Sequence, residues 1–199
     1  LSEILIRNTK FKKIKIDSAV IQIGSEKISS LKWNTKLINK NSFFAPNNEI
    51  IPIWEKLVLK HRKQGSSLGA VIEVRVSNMP ENIGEPIYQK LDSELSKAIM
   101  SINAVKGIEF GAGFNIVEQD GLTSSDQMQI KNNKINFLSN NSGGILGGIS
   151  SGQDIVFRYV VKPTSSVLDP KQTISKNKKN TTISTKGRHA PCVGIRAVP

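Results

Sequence analysis

The chain has 199 residues with 38% hydrophobic and 22% charged side chains, which is enough for one hydrophobic core and excludes disorder throughout. Lys and Arg outnumber Asp and Glu by 28 to 16, so the net charge of +12 predicts an anionic partner, either nucleic acid or a phosphorylated small molecule. The single cysteine excludes an internal disulfide, and no apolar run approaches the roughly 20 residues of a membrane span, so we expect a cytoplasmic protein.

The first predicted elements are a strand and a helix. Isoleucines alternate with lysines from Lys13 onward, and the apolar run continues to Gly24. This pattern indicates a long strand with one solvent-exposed face near its start. From Pro52 to Gly65 the apolar residues recur at helical spacing. His61 falls in the last turn of this helix, so we interpret it as a surface residue rather than a catalytic one, and two histidines in all argue against a histidine-built metal site.

A second strand and a second helix follow. The strand is predicted from Leu68 to Val76 as half-buried, with Glu73 and Arg75 on its outer face. A helix is predicted to begin at Pro86. Its apolar stripe consists of Tyr88, Leu91, Leu95, Ala98 and Ile99.

Glycines interrupt the stretch after that helix. Strand is predicted for Ile108, Phe110, Phe114 and Ile116, and the glycines between them predict bends or close approach of another group. Asn103 lies at the helix-to-strand turn, where spacing alone favours a helix C-cap. The segment from Leu122 to Asn141 predicts a hairpin or an excursion of unassigned function.

The stretch NNSGGILGGISSGQDI, from Asn140 to Ile155, carries five glycines among branched aliphatic residues. A flexible linker would lack those aliphatics, so the backbone here is predicted to be packed and closely approached. Such a backbone suits a flat ring, a phosphate or a second backbone. Neither the dinucleotide fingerprint nor the phosphate-binding loop matches its spacing.

The last third predicts a strand from Ile155 to Val160 that runs into KPTSS at Lys162 to Ser166. A cation followed by hydroxyls indicates either an anion-binding corner or a plain turn. The basic segment from Lys171 to Lys186 favours a solvated loop or edge hairpin over a nucleic-acid contact, because no aromatic residue lies among its lysines. Arg188 and His189 follow, and a guanidinium can bind phosphate or carboxylate.

Four phrases together resemble the chorismate synthase family. They are INAVKGIEFGAGF from Ile102, the glycine stretch from Asn140, KPTSS from Lys162 and GRHAPCVGIRAVP from Gly187. The order, the spacing and the amino-acid sequences of these four segments are similar to those of the family. The resemblance implies an α+β fold, a β-α-β sandwich of antiparallel sheets around helices. It also implies one partial domain over residues 1–199, a fragment that lacks the N-terminal part and the extreme C-terminus.

The same resemblance implies an activity. The family's members are lyases of the shikimate pathway that convert 5-enolpyruvylshikimate 3-phosphate to chorismate by a 1,4-anti elimination of phosphate. They need reduced FMN as a cofactor, although no net redox change occurs. The resemblance also implies a homotetramer and a link to NADP, and leaves open whether the chain itself could reduce flavin.

Residue by residue, the resemblance implies flavin contacts at Asn103, Ala104, Gly147, Lys162, Pro163, Thr164, Ser165, Ser166 and Arg188. No catalytic residue is implied within this sequence, because the family's early G-E-S-H-G phrase and its histidines are absent from it. Ala190 stands where the family usually has Asp. The hypotheses that remain open beside an active lyase are a catalytically silent fragment and a basic RNA-binding domain.

Overall fold

The computed structural model describes residues 13–29, 32–186 and 190–198. The helices in these ranges are α1 (Thr35–Ile38), α2 (Ile51–Lys63) and α3 (Leu91–Met100), with short 3-10 helices at Gly113–Glu118 and Gly194–Ala197. The strands are β1 (Lys15–Ile23), β2 (Glu26–Lys27), β3 (Ala70–Ser77), β4 (Val105–Phe110), β5 (Met128–Lys131), β6 (Lys134–Phe137), β7 (Ile145–Leu146), β8 (Ile149–Ser150), β9 (Ile155–Val161), β10 (Lys171–Ile174) and β11 (Asn180–Ile183).

Five of these strands form one sheet in the order β2-β1-β3-β9-β4, and the others pair as the antiparallel hairpins β5–β6, β7–β8 and β10–β11. The chain divides into two compact units. The first unit contains Glu73–Tyr159 together with the described residues up to Ser18, and the second contains the described residues of 19–72 and 160–199.

The core of the second unit surrounds Trp54 of α2, which is fully buried. Its indole Nε1 donates to the Glu26 carbonyl at 3.0 Å, and its ring lies 5.9 Å from that of Phe43. Helix α2 has Pro52 in its first turn, and Gly65 follows its C-cap with φ +64. The predicted helix is therefore confirmed with both of its end signals.

In the first unit the second predicted strand differs from expectation at one residue. Glu73 is only 4% exposed, although the pattern placed it on an outer face. The Arg75 guanidinium bonds its carboxylate at 2.7 Å, and that of Arg158, from β9, lies 3.8 Å away and also pairs with Glu109 at 2.7 Å. A carboxylate can be buried here because two cations accompany it.

Two other local predictions in the first unit are wrong. The second helix begins at Leu91 rather than near Pro86, and Tyr88 is 89% exposed. Phe114 and Ile116 lie in a 3-10 helix rather than a strand, because Gly111 and Gly113 adopt φ +54 and +60 and turn the chain.

Two hairpins are largely exposed to solvent. In β5–β6 the turn residues Asn132 and Asn133 have φ +53 and +57, as a two-residue type I′ turn requires, so the hairpin predicted for this segment is confirmed. The β10–β11 hairpin is exposed on both faces, with Ile174 68% and Ile183 57% accessible. The sequence favoured a solvated loop or an edge hairpin for the basic segment, and the structure shows an exposed hairpin that forms a two-stranded sheet of its own.

Candidate functional site

The glycine-rich stretch forms the β7–β8 hairpin in the first unit. Its two turn residues, Gly147 and Gly148, have φ +58 and +85, which again fits a type I′ turn. The Gly148 carbonyl accepts the Leu91 amide at 2.8 Å, so the turn contacts the start of α3. A Cβ on Gly148 would lie 2.7 Å from the Glu85 carbonyl oxygen, and one on Gly144 would lie 2.5 Å from that of Asp154. At Gly144 the group that approaches closely is a second backbone, and at Gly148 it is the Glu85 backbone together with the Lys90 side chain.

Gly147 differs from its neighbours. A Cβ there would meet nothing within 4 Å, and the residue is exposed. Glycine is favoured at this position by the left-handed turn and not by packing. The surface above Gly147 is therefore open enough for a flat ligand to reach the backbone.

Asn103 and Ala104 follow the end of α3. Asn103 is exposed, and Ala104 has φ +72, which is a strained conformation for a residue with a side chain. The ten residues of α3 separate this pair from the hairpin turn by roughly 15 Å at 1.5 Å per residue. The structure places Gly147 and the Asn103–Ala104 pair at opposite ends of one helix. They do not form a single cluster.

The residues Lys162–Ser166 form a corner in the second unit, directly after β9. Lys162 is exposed, and Pro163 lies against Gly69. Ser67 Oγ donates to the Thr164 carbonyl at 2.7 Å, and Lys171 Nζ donates to the Ser165 carbonyl. The corner is therefore held through its carbonyl groups.

The side-chain hydroxyl of Thr164 has no hydrogen-bond partner among the described residues, although it is buried. An unpaired buried hydroxyl is costly, and each such group in a native protein needs an explanation. A phosphate oxygen would accept its proton, and the exposed ammonium of Lys162, two residues earlier, would balance the charge. The residues present at this corner fit an anionic group such as the phosphate of FMN.

Arg188 and His189 lie outside the described residues, which resume at Ala190. The Pro191 carbonyl accepts the Leu68 amide at 2.7 Å, and a Cβ on Gly194 would lie 2.5 Å from that of Ala70. Cys192 is 6% exposed, and burial raises the pKa of its thiol. The segment after Ala190 is thus fastened to residues at the start of β3.

The first unit also contains an apolar groove of about 470 Å³ that the sequence did not indicate. Phe110 and Ile108 of β4 form one side, and the 3-10 helix with Phe114 and Val117 forms the other. Phe114 and Val117 are 83% and 84% exposed. None of the implied flavin contacts that the structure describes lies in this groove.

Comparison with known proteins places the chain in a family. The family model described as chorismate synthase matches residues 3–199. The chain belongs to the chorismate synthase family. The family's members are lyases of the shikimate pathway, so the resemblance seen in the four phrases is confirmed.

Individual relatives agree with this assignment. The chorismate synthase of Pelagibacter ubique (strain HTCC1062) is 53% identical over 195 residues, which are 98% of this chain and 54% of that protein. The chorismate synthase of Afipia carboxidovorans is 52% identical over 186 residues, 94% of this chain and 52% of that protein. The chain therefore spans about half the length of the curated relatives it matches.

A crystal structure of chorismate synthase superposes with a TM-score of 0.73 at 30% sequence identity, over 77% of this chain and 50% of that one. The predicted α+β class and the chorismate-synthase-like fold are confirmed. Among the described residues, no helix is long and apolar enough to cross a membrane.

Proposed function

We propose that this chain supplies the flavin-binding part of a chorismate synthase, which converts 5-enolpyruvylshikimate 3-phosphate to chorismate and phosphate. Identity of 53% to a curated chorismate synthase over nearly the whole chain supports the activity. The observation that carries the cofactor assignment is the corner at Lys162–Ser166, where a buried hydroxyl lacks a partner among the described residues. We also propose a homotetramer in the cytoplasm and reduced FMN, with the reduced form of NADP, NADPH, as the source of the flavin's electrons.

The chain's own residues would hold the cofactor as follows. Lys162 Nζ would neutralise charge on the flavin phosphate, and Thr164 Oγ1 would donate a hydrogen bond to a phosphate oxygen. Pro163, Ser165 and Ser166 complete the corner. A reduced flavin held by these residues would supply the electron density that helps to expel the substrate's phosphate and to remove the C6 proton.

The remaining implied contacts would act on the other parts of the flavin. The backbone at Gly147 lets a flat ring approach, because no Cβ stands above it. Asn103 and Ala104 lie at the far end of α3, so one flavin would touch both places only in an extended pose or with help from another subunit. Arg188 would balance the charge of the reduced ring.

Flavin titration tests this proposal. The purified chain is titrated with FMN under dithionite, with and without 5-enolpyruvylshikimate 3-phosphate, and binding is followed by absorbance. We expect saturable binding that the substrate strengthens, and no turnover, because the family's early histidines are absent from this sequence. Failure to bind flavin in either condition would contradict the proposal, and salt-sensitive RNA binding without flavin would replace it.

A further inference from the structure

Residues Ser67–Gly69, which we call the bridge, contact two separate parts of the second unit at once. Ser67 Oγ bonds the Thr164 carbonyl, and the Leu68 amide bonds the Pro191 carbonyl, both at 2.7 Å. Ser67 and Thr164 are 97 residues apart in the chain. The corner at Lys162–Ser166 and the segment after Ala190 are therefore both fastened to three consecutive residues.

The Ser67 bond orients the peptide that follows Thr164. A trans peptide is planar, with its N–H pointing opposite to its C=O. Because the Thr164 carbonyl points at Ser67 Oγ, the Ser165 N–H must point away from Ser67. The Lys171 ammonium fixes the next carbonyl, that of Ser165, in the same manner.

Gly69 sets the distance between the bridge and the corner. A Cβ at this position would lie 2.8 Å from the Val161 carbonyl oxygen and 3.2 Å from Pro163 Cδ. Real Cβ atoms essentially never come within 3.0 Å of another heavy atom, so no larger residue fits without a shift. The Gly69 carbonyl also accepts the Gly24 amide at 3.1 Å, which holds the bridge from its other side.

We infer that the bridge is a positioning element for the flavin phosphate, with Ser67 as its side-chain anchor. The Ser67 hydroxyl bonds the Thr164 carbonyl. In this arrangement the Thr164 hydroxyl and the Ser165 amide are both available to donate to an anion. Ser67 itself does not touch the ligand in this arrangement. The inference rests on the proposed function, since it assumes that the corner receives a phosphate.

The experiment compares three variants of the whole chain with the wild type. Ser67→Ala removes the anchor, Ser67→Thr keeps its hydroxyl, and Ser184→Ala removes an exposed hydroxyl of the same unit as a matched control. Amide hydrogen exchange of residues 162–166 is measured without ligand. Affinities for FMN and for riboflavin, which lacks the phosphate, are measured under dithionite.

We expect Ser67→Ala to speed exchange in residues 162–166 but not in α2. Its FMN affinity should fall by about fivefold, the size of one ordinary hydrogen bond, while its riboflavin affinity stays unchanged. Ser67→Thr should restore both values, and Ser184→Ala should match the wild type.

Three results would overturn the inference. They are unchanged exchange at the corner in Ser67→Ala, an equal loss of FMN and riboflavin affinity, which indicates a merely structural role, and no rescue by Ser67→Thr. A wild-type chain that binds neither flavin removes the phosphate role by refuting the proposed function itself. The exchange data then still decide whether Ser67 holds the corner, so the two failures are distinguishable.

A Gly69→Ala variant provides a second test, because it changes the spacing between the bridge and the corner instead of removing a hydrogen bond. It removes no hydrogen-bonding group of the bridge but would push the Val161 carbonyl and Pro163 away. We expect it to weaken FMN more than riboflavin, as Ser67→Ala does. Equal affinities for FMN in Gly69→Ala and wild type would show that the spacing of bridge and corner is irrelevant to the phosphate.

Discussion

The β7–β8 hairpin and the Lys162–Ser166 corner differ in whether their buried hydroxyl groups have hydrogen-bond partners within the protein. In the hairpin, Ser150 Oγ donates to the Pro80 carbonyl at 2.6 Å and accepts from the Ile83 amide at 2.9 Å. In the corner, the buried Thr164 hydroxyl lacks a partner among the described residues. The hairpin is thus bonded within the protein, apart from the open surface at Gly147, whereas the corner leaves a donor for a ligand.

This contrast separates two kinds of implied flavin contact. Gly144 and Gly148 allow other parts of the protein to pack closely against the hairpin, and a ligand is not needed to explain them. The corner carries a cation and an unpaired donor, which packing does not explain. Variants in the hairpin should therefore change stability first, and variants in the corner should change binding first.

The largest expected effect is a loss of stability in Gly144→Ala. Its new Cβ would lie 2.5 Å from the Asp154 carbonyl oxygen at φ +82, so we expect a loss of about 3 kcal/mol or more in unfolding free energy. Gly147→Ala is the matched control, because it adds only the cost of a left-handed alanine, about 1 kcal/mol. Urea unfolding measures both. Similar losses in the two variants would remove the distinction between packed and open glycines.

The next largest effect is a loss of affinity in Lys162→Ala. Removing a cation that bonds a phosphate should weaken FMN binding by about tenfold or more and leave riboflavin binding nearly unchanged. Lys176→Ala removes the same charge from the exposed segment between β10 and β11 and should leave FMN binding near the wild-type value. Equal weakening in the two variants would mean that net charge, rather than the corner, attracts the ligand.

Thr164→Val is expected to have opposite effects on stability and on FMN binding. Valine has nearly the shape of threonine but no hydroxyl, so the variant should be as stable as the wild type or more stable, since a buried unpaired group disappears. FMN affinity should fall by about fivefold. Thermal unfolding and flavin titration together test the pair of outcomes, with Thr181→Val on the exposed strand β11 as the control. A variant that loses stability would indicate that the hydroxyl has a structural partner.

Ala190→Asp should give a smaller gain. Restoring the carboxylate usual in the family adds a charged partner beside Arg188 and His189, and we expect FMN to bind about threefold more tightly. Ala190→Asn has nearly the same size without the charge and should not reproduce the gain. Titration of both variants decides, and unchanged affinity in Ala190→Asp would count against a role for this position.

The smallest expected effect is on stability at acidic pH, and it concerns the carboxylate of Asp126. Burial raises the pKa of Asp126, but bonds from the Ser139 hydroxyl and the Ser142 and Asn141 amides outweigh it, so its pKa lies below the ordinary value. Because the folded pKa is depressed, this contribution is present above the unfolded pKa of about 3.9 and is lost as pH falls through the folded value.

An Asp126→Asn variant should therefore lose less stability than the wild type as the pH falls below about 4. Unfolding free energies measured by urea at several pH values test this. Parallel curves for variant and wild type across that range would show that the Asp126 carboxylate has no such role.

Much of the fold could be predicted from local pattern, because α2 and β9 carry their own periodicity and end signals. The burial of Glu73 could not be predicted, because its partner Arg158 lies on β9, which is far from β3 in the sequence although next to it in the sheet. The early start predicted for α3 failed because the Gly148 carbonyl, far along the chain, accepts the Leu91 amide.

The candidate site divides in the same way. The phrase KPTSS identified the corner, since its residue types are contiguous. Ser67 gave no signal, because nothing in a single sequence links it to a carbonyl 97 residues later. A short polar residue next to a glycine and just before a strand is too common to be singled out.

Cys192, the chain's single thiol, is a ready-made reporter for the segment that includes Ala190 and Pro191. A buried sulfur with a raised pKa reacts slowly with alkylating reagents while the protein is folded. The rate of labelling would then follow how often this segment detaches from Leu68, without any engineered probe.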